Sequence, residues 1–147
     1  MKRLLYLLPL VFAFATGCIP KSNTPPSNTI PQGTFTGQFK LTHTSSKTGL
    51  KDSLTANIQL QIEPATGYTV TGDTATVHAG SFGSYGVNQS NYTMLFVDKT
   101  FPPTGTPKKI HLAGVYDYIF NGTNLQLVAY GALDTLTYYY NLKYTGN

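Results

Sequence analysis

Hydrophobic and polar residues alternate along most of the chain after Gly33. Successive side chains of a β-strand point to opposite faces of the sheet, so this alternation predicts strands with one buried and one solvated face. The stretches TFTGQFKLTH, SLTANIQLQIE, IHLAGVYDYIF and TLTYYYNLKY follow the pattern, whereas NYTMLFVD and LQLVAYGAL are apolar on both faces and predict more covered strands. The predicted inward residues are Phe35, Phe39, Leu41, Leu54, Ala56, Ile58, Leu60, Ile62, Ile110, Leu112, Tyr116, Tyr118, Phe120, Leu136, Tyr138, Tyr140, Leu142 and Tyr144.

Turn-forming residues separate these predicted strands. Residues 64–67 contain Pro and Gly, and residues 121–124 contain the Asn-Gly pair that is typical of hairpins. Thr48-Gly49 and residues 132–134 predict further short links, while HAGSFGSYGVNQSN and KTFPPTGTPKK predict two longer connections. Short links favour sequential neighbours, and closing the sheet removes its exposed edges. We therefore predict an all-β domain over residues 33–147, an antiparallel meander of seven or eight strands closed into a small barrel. A two-sheet β-sandwich is the alternative.

The first 32 residues have a different composition. Lys2 and Arg3 precede LLYLLPLVFAFAT, an uncharged run of thirteen residues. This run is shorter than the roughly 20 residues that a membrane-spanning helix needs. A basic start, a short apolar run and small residues at its end predict a secretory signal peptide over residues 1–17. Residues 19–33 contain four prolines and few apolar side chains, so residues 18–32 are expected to form an extended tether.

The single cysteine, Cys18, lies between the apolar run and the tether. An unpaired cysteine in a secreted chain needs an explanation other than an intramolecular disulfide. Ala15-Thr16-Gly17-Cys18 resembles a bacterial lipobox, which implies cleavage before Cys18 and lipidation of its sulfur. Two or more acyl chains anchor a protein stably in a membrane. Because Ile19 rather than aspartate follows Cys18, the resemblance implies the outer membrane as the destination.

Charge argues against a nucleic-acid partner. Once residues 1–17 are removed, eight lysines, six acidic residues and no arginine remain. Arginine is the residue best suited to bidentate contacts with phosphate and bases. The pair Lys108-Lys109 is the only basic cluster, and it is expected at the end of a loop. We therefore expect membrane contact through the N-terminal lipid and no nucleic-acid binding.

The stretches GTFTGQF and LAGVYDYIFNGTNLQLVAYG resemble small lipocalin-like (calycin-type) domains of bacterial lipoproteins. In that family a Gly-x-aromatic first strand opens an up-and-down barrel. Phe35 stands where the family usually has tryptophan, and the mature chain lacks the arginine that packs over it. The family's ligand cavity is therefore not carried over to this chain, whose barrel interior is expected to be either open or filled.

Candidate catalytic and metal-binding groups are sparse. His43, His78 and His111 are placed on different strands or faces, so we predict no shared metal site and interpret them as surface or strand-end residues. Asp117 lies within a predicted strand on the face opposite Tyr116 and Tyr118, which favours a solvated carboxylate over a catalytic acid. No nucleophile motif of the common hydrolases occurs in the sequence. We predict a protein that is not an enzyme and that needs no cofactor.

Aromatic residues supply the remaining hint, with eleven tyrosines and eight phenylalanines. Most of those in strands have inward parity and are explained by the core. Tyr130 and Tyr139 have outward parity, and Tyr85 and Phe101 lie in the two long predicted connections. We predict that these four residues contribute to a contact surface for a ligand or partner.

The function expected from these features is that of a non-catalytic envelope lipoprotein that binds a small apolar ligand or a protein partner. A structural or assembly accessory lipoprotein without a ligand is one alternative, and a surface glycan-binding module is another. An open apolar cavity would favour ligand binding inside the barrel, whereas a packed interior would favour the accessory role.

Overall fold

The computed structural model describes residues 29–104, 107–131 and 135–146. Cys18, the expected signal peptide and most of the expected tether lie outside these residues. The described part contains eight β-strands and no helix: β1 (Gly33–Thr44), β2 (Lys51–Glu63), β3 (Gly67–Gly72), β4 (Ser81–Asn88), β5 (Thr93–Asp98), β6 (Gly114–Phe120), β7 (Asn124–Tyr130) and β8 (Leu136–Gly146).

The strands form one closed antiparallel barrel. Each strand pairs with the next in sequence, and β8 pairs with β1 to close the sheet. The closing pair is long, running from Thr34 opposite Gly146 to His43 opposite Leu136. The predicted all-β meander and its closure into a small barrel are confirmed, and the sandwich alternative is wrong. Closure pairs the strands that would otherwise present free edges.

Large side chains fill the barrel interior. Inward residues from β1, β2, β5, β7 and β8 have no surface accessible to water, and the rings of Phe39 and Tyr140 lie 4.9 Å apart. Side chains without accessible surface are surrounded by other protein atoms, so the barrel interior is a packed core. The fully buried interior residues are Phe35, Phe39, Leu60, Ile62, Met94, Leu112, Leu125, Leu127 and Tyr140.

The connections alternate between the two ends of the barrel. β1 begins at Gly33 on the end that also carries the β2–β3, β4–β5 and β6–β7 turns. The opposite end carries the β3–β4 and β5–β6 connections, which pair with each other through His78 and Ile110. The Ala79 amide donates to the Ile110 carbonyl over 2.8 Å, and the Ile110 amide donates to the Val77 carbonyl over 2.9 Å. Because His78 and Leu112 are buried, these two connections cover the interior at this end.

The Gly- and Ser-rich stretch 78–91 was predicted as a connection, and that prediction is wrong. It contains β4, in which Ser81 and Gly83 occupy buried inward positions. A Cβ atom at Gly83 would lie 1.9 Å from the Val97 carbonyl oxygen, so only glycine permits this approach of β5. Tyr85 consequently belongs to a strand rather than a loop, and it packs partly buried against the core.

Two further expectations about burial are wrong. β5 was predicted to be covered on both faces, but its outward residues Leu95 and Val97 are exposed. Leu54 has inward parity yet is also exposed. Leu54 pairs with Leu41 in the outer part of the β1–β2 hairpin, where the flanking positions of both strands are at least partly exposed. This part of the hairpin therefore extends beyond the packed interior.

Candidate functional site

A cleft of about 430 Å³ lies at the covered end of the barrel, which we call the end cleft. The proline-rich β5–β6 connection forms one wall, and the adjoining ends of β6, β7 and β8 form the other. Its lining is Phe101, Pro107, Lys109, Ile110, His111, Ala113, Gly114, Val115, Tyr116, Ala129, Tyr130 and Tyr138. The barrel thus presents aromatic, aliphatic and titratable side chains on one concave surface.

A buried carboxylate holds the histidine of this cleft. The Asp98 side chain has no exposed surface, and its Oδ2 atom lies 2.7 Å from Nδ1 of His111. The Thr100 amide and hydroxyl both donate to Asp98 Oδ1, each over 2.7 Å. Short hydrogen bonds to a carboxylate are stronger than those between neutral groups. Asp98 is thereby fixed at the end of β5, and it fixes the imidazole in turn.

Exposed aromatic rings line the same cleft as His111. Phe101 is 45% exposed, and its ring centre lies 5.3 Å from that of His111 in an edge-on arrangement. Tyr130, at the end of β7, is 65% exposed. Tyr138, on β8, is partly buried against the core and contributes a further ring. Exposed aromatic residues grouped in a concave surface are typical of binding sites.

The four residues of the predicted contact surface lie in different places. Phe101 and Tyr130 both line the end cleft. Tyr85 lines a separate pocket of about 480 Å³ together with Ile30 and Lys99, next to the residues that precede β1. Tyr139 faces outward on β8 between Lys40 and Val128, half-buried, and lines neither space. The structure therefore brings two of the four together.

The interior contains a second polar cluster, centred on His78. His78 Nδ1 lies 2.6 Å from the Ala79 carbonyl, and its Nε2 lies 2.8 Å from the Tyr140 hydroxyl. A carbonyl only accepts, so Nδ1 carries the proton and Nε2 accepts from Tyr140. The ring of Tyr140 also packs edge-on against that of Tyr116, with the ring centres 5.6 Å apart. The interpretation of His78 as a surface or strand-end residue is wrong, because the β3–β4 connection carries it over the interior.

Burial controls the titration of this cluster. Burial lowers the pKa of His78 to about 4, because the charged imidazole loses its hydration. Burial also raises the pKa of Tyr116 to about 12, and it raises the pKa values of Tyr68 and Tyr140 above that of an ordinary tyrosine. Tyr68 donates to the Leu112 carbonyl over 2.5 Å, which ties β3 to the β5–β6 connection. At neutral pH all four groups are uncharged, which suits a role in packing.

The remaining histidine lies elsewhere. His43 Nδ1 is 3.1 Å from Asp52 Oδ1 in an exposed pair on the β1–β2 hairpin. Within the residues that the structure describes, no three His, Cys, Asp or Glu side chains come close enough to hold a metal ion. Asp117 is exposed on the outer face of β6.

Sequence reasoning missed Asp98, which it treated only as the residue before the proline-rich connection. Its position directly after the alternating stretch TMLFV was the one available signal, because residues at strand ends face the connections. The pairing with His111 joins residues thirteen positions apart across an irregular connection, and no periodicity encodes such a contact.

The described residues contain no helix that is long and apolar enough to cross a membrane. Comparison with protein-family models, with curated proteins and with solved structures finds no match to this chain.

Proposed function

We propose that this chain is a non-catalytic, lipid-anchored protein of the bacterial envelope that binds a small ligand or a protein partner in the end cleft. The observation that carries the binding role is that the exposed rings of Phe101 and Tyr130 line the same cleft as His111, which a buried carboxylate fixes. Burying such rings against a partner stabilises a complex, and a fixed polar group adds specificity.

The position of the cleft supports an anchored role. The chain joins β1 at Gly33, at the barrel end opposite the β5–β6 connection. An anchor at Cys18, joined to Gly33 by the tether, would leave the end cleft on the far side of the barrel from the membrane. The lipobox-like sequence supports lipidation, and Ile19 supports the outer membrane. The sequential order of the eight strands supports a lipocalin-like barrel.

The packed interior favours an external site over an internal one. Phe39, Leu127 and Tyr140 have no accessible surface, so an apolar ligand would have to displace core side chains to enter the barrel. The same packing favours a second candidate function, that of an accessory envelope lipoprotein with no ligand.

Lipidation is tested by mass spectrometry of the mature N-terminus together with membrane fractionation. Wild type should carry acyl chains on Cys18 and sediment with membranes, and Cys18→Ser should remain unprocessed and lose the acyl mass. An unmodified thiol on a freely soluble mature protein would contradict the anchor.

Binding in the end cleft is tested by photo-cross-linking in cells of the source bacterium. A photoreactive phenylalanine analogue at position 130 should give a discrete adduct, and the same analogue at position 139 should not. Tyr139 is the matched control because it faces outward on the neighbouring strand but lies outside the cleft. No adduct at position 130, or equal adducts at both positions, would favour the accessory function.

A further inference from the structure

The hydrogen bonds of Asp98 determine which nitrogen of His111 carries a proton. Asp98 Oδ1 accepts two bonds from Thr100, and Oδ2 lies 2.7 Å from Nδ1 of His111. A carboxylate can only accept, so Nδ1 donates to it. The neutral ring therefore has an unprotonated Nε2, as in other carboxylate–histidine pairs.

The Nε2 atom of His111 has no hydrogen-bond partner among the described residues, although His111 itself lines the end cleft. Nδ1 and Nε2 are joined through Cε1 and their in-plane directions diverge, so Asp98 does not occupy the side of Nε2. The His111 side chain is 11% exposed. An unprotonated Nε2 accepts a hydrogen bond, and in a side chain that lines a cleft a donor from a bound molecule can take the place of water there. The interior histidine offers no such atom, because both of its nitrogens have protein partners.

The exposed rings of the end cleft offer an apolar surface to a ligand. Phe101 and Tyr130 are 45% and 65% exposed and line the same cleft. The faces of aromatic rings carry negative charge density, which attracts weakly positive C–H groups. A pyranose ring has C–H groups on one face and hydroxyl donors around its rim, and therefore offers both kinds of contact.

The charges of the cleft favour a neutral molecule. Asp98 supplies one negative charge behind His111, and Lys109 supplies one positive charge to the lining. The Lys109 ammonium donates to the Thr74 carbonyl over 2.6 Å, on the β3–β4 connection. Lys109 is the one charged residue among the described residues of the lining, and its ammonium is already hydrogen-bonded to Thr74. The lining therefore has no unengaged charge with which to attract an ionised group.

Building on the proposed function, we propose that the end cleft binds a neutral saccharide. A sugar ring packs its C–H face on Tyr130 and Phe101, and one of its hydroxyl groups donates to Nε2 of His111. Asp98 is a positioning residue that keeps Nε2 an acceptor.

The test uses the full chain as cells make it, purified in a polyoxyethylene detergent that contains no sugar headgroup. The protein is applied to an array of neutral and acidic glycans, and retention is then measured in gels containing the matching polysaccharide. Binding to neutral glycans is expected. Binding confined to acidic glycans, or to none of the array, overturns the proposal.

Variants locate the binding. Tyr130→Ala should weaken binding to the neutral glycan by about tenfold, because it removes a stacking face. Tyr139→Ala and Tyr85→Ala, which alter tyrosines outside the cleft, should stay within about twofold of wild type. Equal losses in all three variants would place the glycan elsewhere and overturn the proposal.

The positioning role has its own readout. In Asp98→Asn the amide nitrogen can replace Oδ2 and donate to Nδ1, which moves the ring proton to Nε2. Binding should fall about tenfold, and nitrogen NMR should show the changed tautomer in a protein that remains folded. In wild type, the glycan should shift the Nε2 resonance more than that of Nδ1. Unchanged binding in a protein with the altered tautomer contradicts the role of His111.

The two proposals fail in different ways. A protein adduct at position 130 in cells together with an empty glycan array leaves the proposed binding function standing and removes the saccharide inference. No adduct and no glycan binding remove both.

Discussion

The barrel interior and the end cleft each contain a histidine, and the two histidines differ in how many of their ring nitrogens are hydrogen-bonded to protein atoms. In the interior, both nitrogens of His78 are bonded to protein atoms and the ring has no accessible surface. In the cleft, Nδ1 of His111 is bonded to Asp98, and Nε2 has no hydrogen-bond partner among the described residues. Similar ring chemistry therefore serves packing in one region and leaves an atom available for recognition in the other.

The difference follows from the charge of the groups that are hydrogen-bonded to each imidazole ring. The partners of His78 are a carbonyl and a phenol, which cannot compensate a buried positive charge, so burial keeps the ring neutral. His111 is bonded to a carboxylate, and the exposed ring of Phe101 lies beside it. A buried histidine with neutral partners is typical of a structural role in the core. A histidine held by a carboxylate at a surface cleft is typical of a candidate binding site.

The largest effect is expected at alkaline pH, in the interior. Tyrosine ionises near pH 10 in an unfolded chain, whereas the folded protein holds the proton of Tyr116 to about pH 12. Between these values the unfolded state binds fewer protons, so the free energy of unfolding falls as pH rises. Tyr116 alone accounts for about 3 kcal/mol, and Tyr68 and Tyr140 add to it. Urea unfolding of residues 18–147, produced without the signal peptide and carrying Cys18→Ser, measures the change.

Tyr116→Phe should flatten this alkaline dependence, and Tyr130→Phe should leave it unchanged because Tyr130 is exposed. If both variants followed the wild-type curve, burial of Tyr116 would not be the cause.

A somewhat smaller effect is expected at acid pH, from His78. The unfolded imidazole binds a proton near pH 6.5, and the folded one only near pH 4. The unfolded state therefore binds more protons in this window, and the free energy of unfolding decreases as pH falls through it, by about 3 kcal/mol in total. His78→Gln, which does not titrate, should show a flatter curve in urea unfolding. His43→Gln is the control, since His43 is exposed, and a flattening of its curve instead would contradict the assignment to His78.

The bond between His78 and Tyr140 should contribute less than these pH effects. Tyr140→Phe leaves His78 Nε2 without a donor, and His78→Leu leaves the Tyr140 hydroxyl without its acceptor. Each variant should lower the free energy of unfolding by about 1 to 3 kcal/mol, because a buried polar atom loses its partner. The double variant should cost less than the sum of the two, and strict additivity in this cycle would contradict the bond.

The barrel could be predicted from the sequence because period-two patterning and short turns determine it. The alternation in β2 and β8 gives both the strands and their buried faces, and the Asn-Gly turn joins β6 to β7. β4 escaped prediction because two of its inward residues are Ser81 and Gly83, which lack the apolar signal. Glycine is needed there by the close approach of β5, and this requirement is tertiary.

The site was less predictable than the barrel, because irregular connections build it. Outward parity identified Tyr130, and loop composition identified Phe101, so part of the cleft lining was predicted. Asp98 and His111 are joined only by the path of the proline-rich connection. His78 was misplaced for the same reason, since its burial depends on where the β3–β4 connection crosses the barrel.

The smallest effect is expected from Thr100, whose hydroxyl is one of two Thr100 donors to Asp98 Oδ1. Thr100→Val keeps the shape and the backbone donor, so it should lower the free energy of unfolding by only about 1 kcal/mol. Thr100→Ser retains the hydroxyl and should stay closer to wild type. Nitrogen NMR should show His111 still protonated on Nδ1 in both variants, because Oδ2 is untouched. A change of tautomer in Thr100→Val would mean that the carboxylate is held by the threonine hydroxyl rather than by the connection as a whole. The geometry of the cleft would then depend on a single side chain.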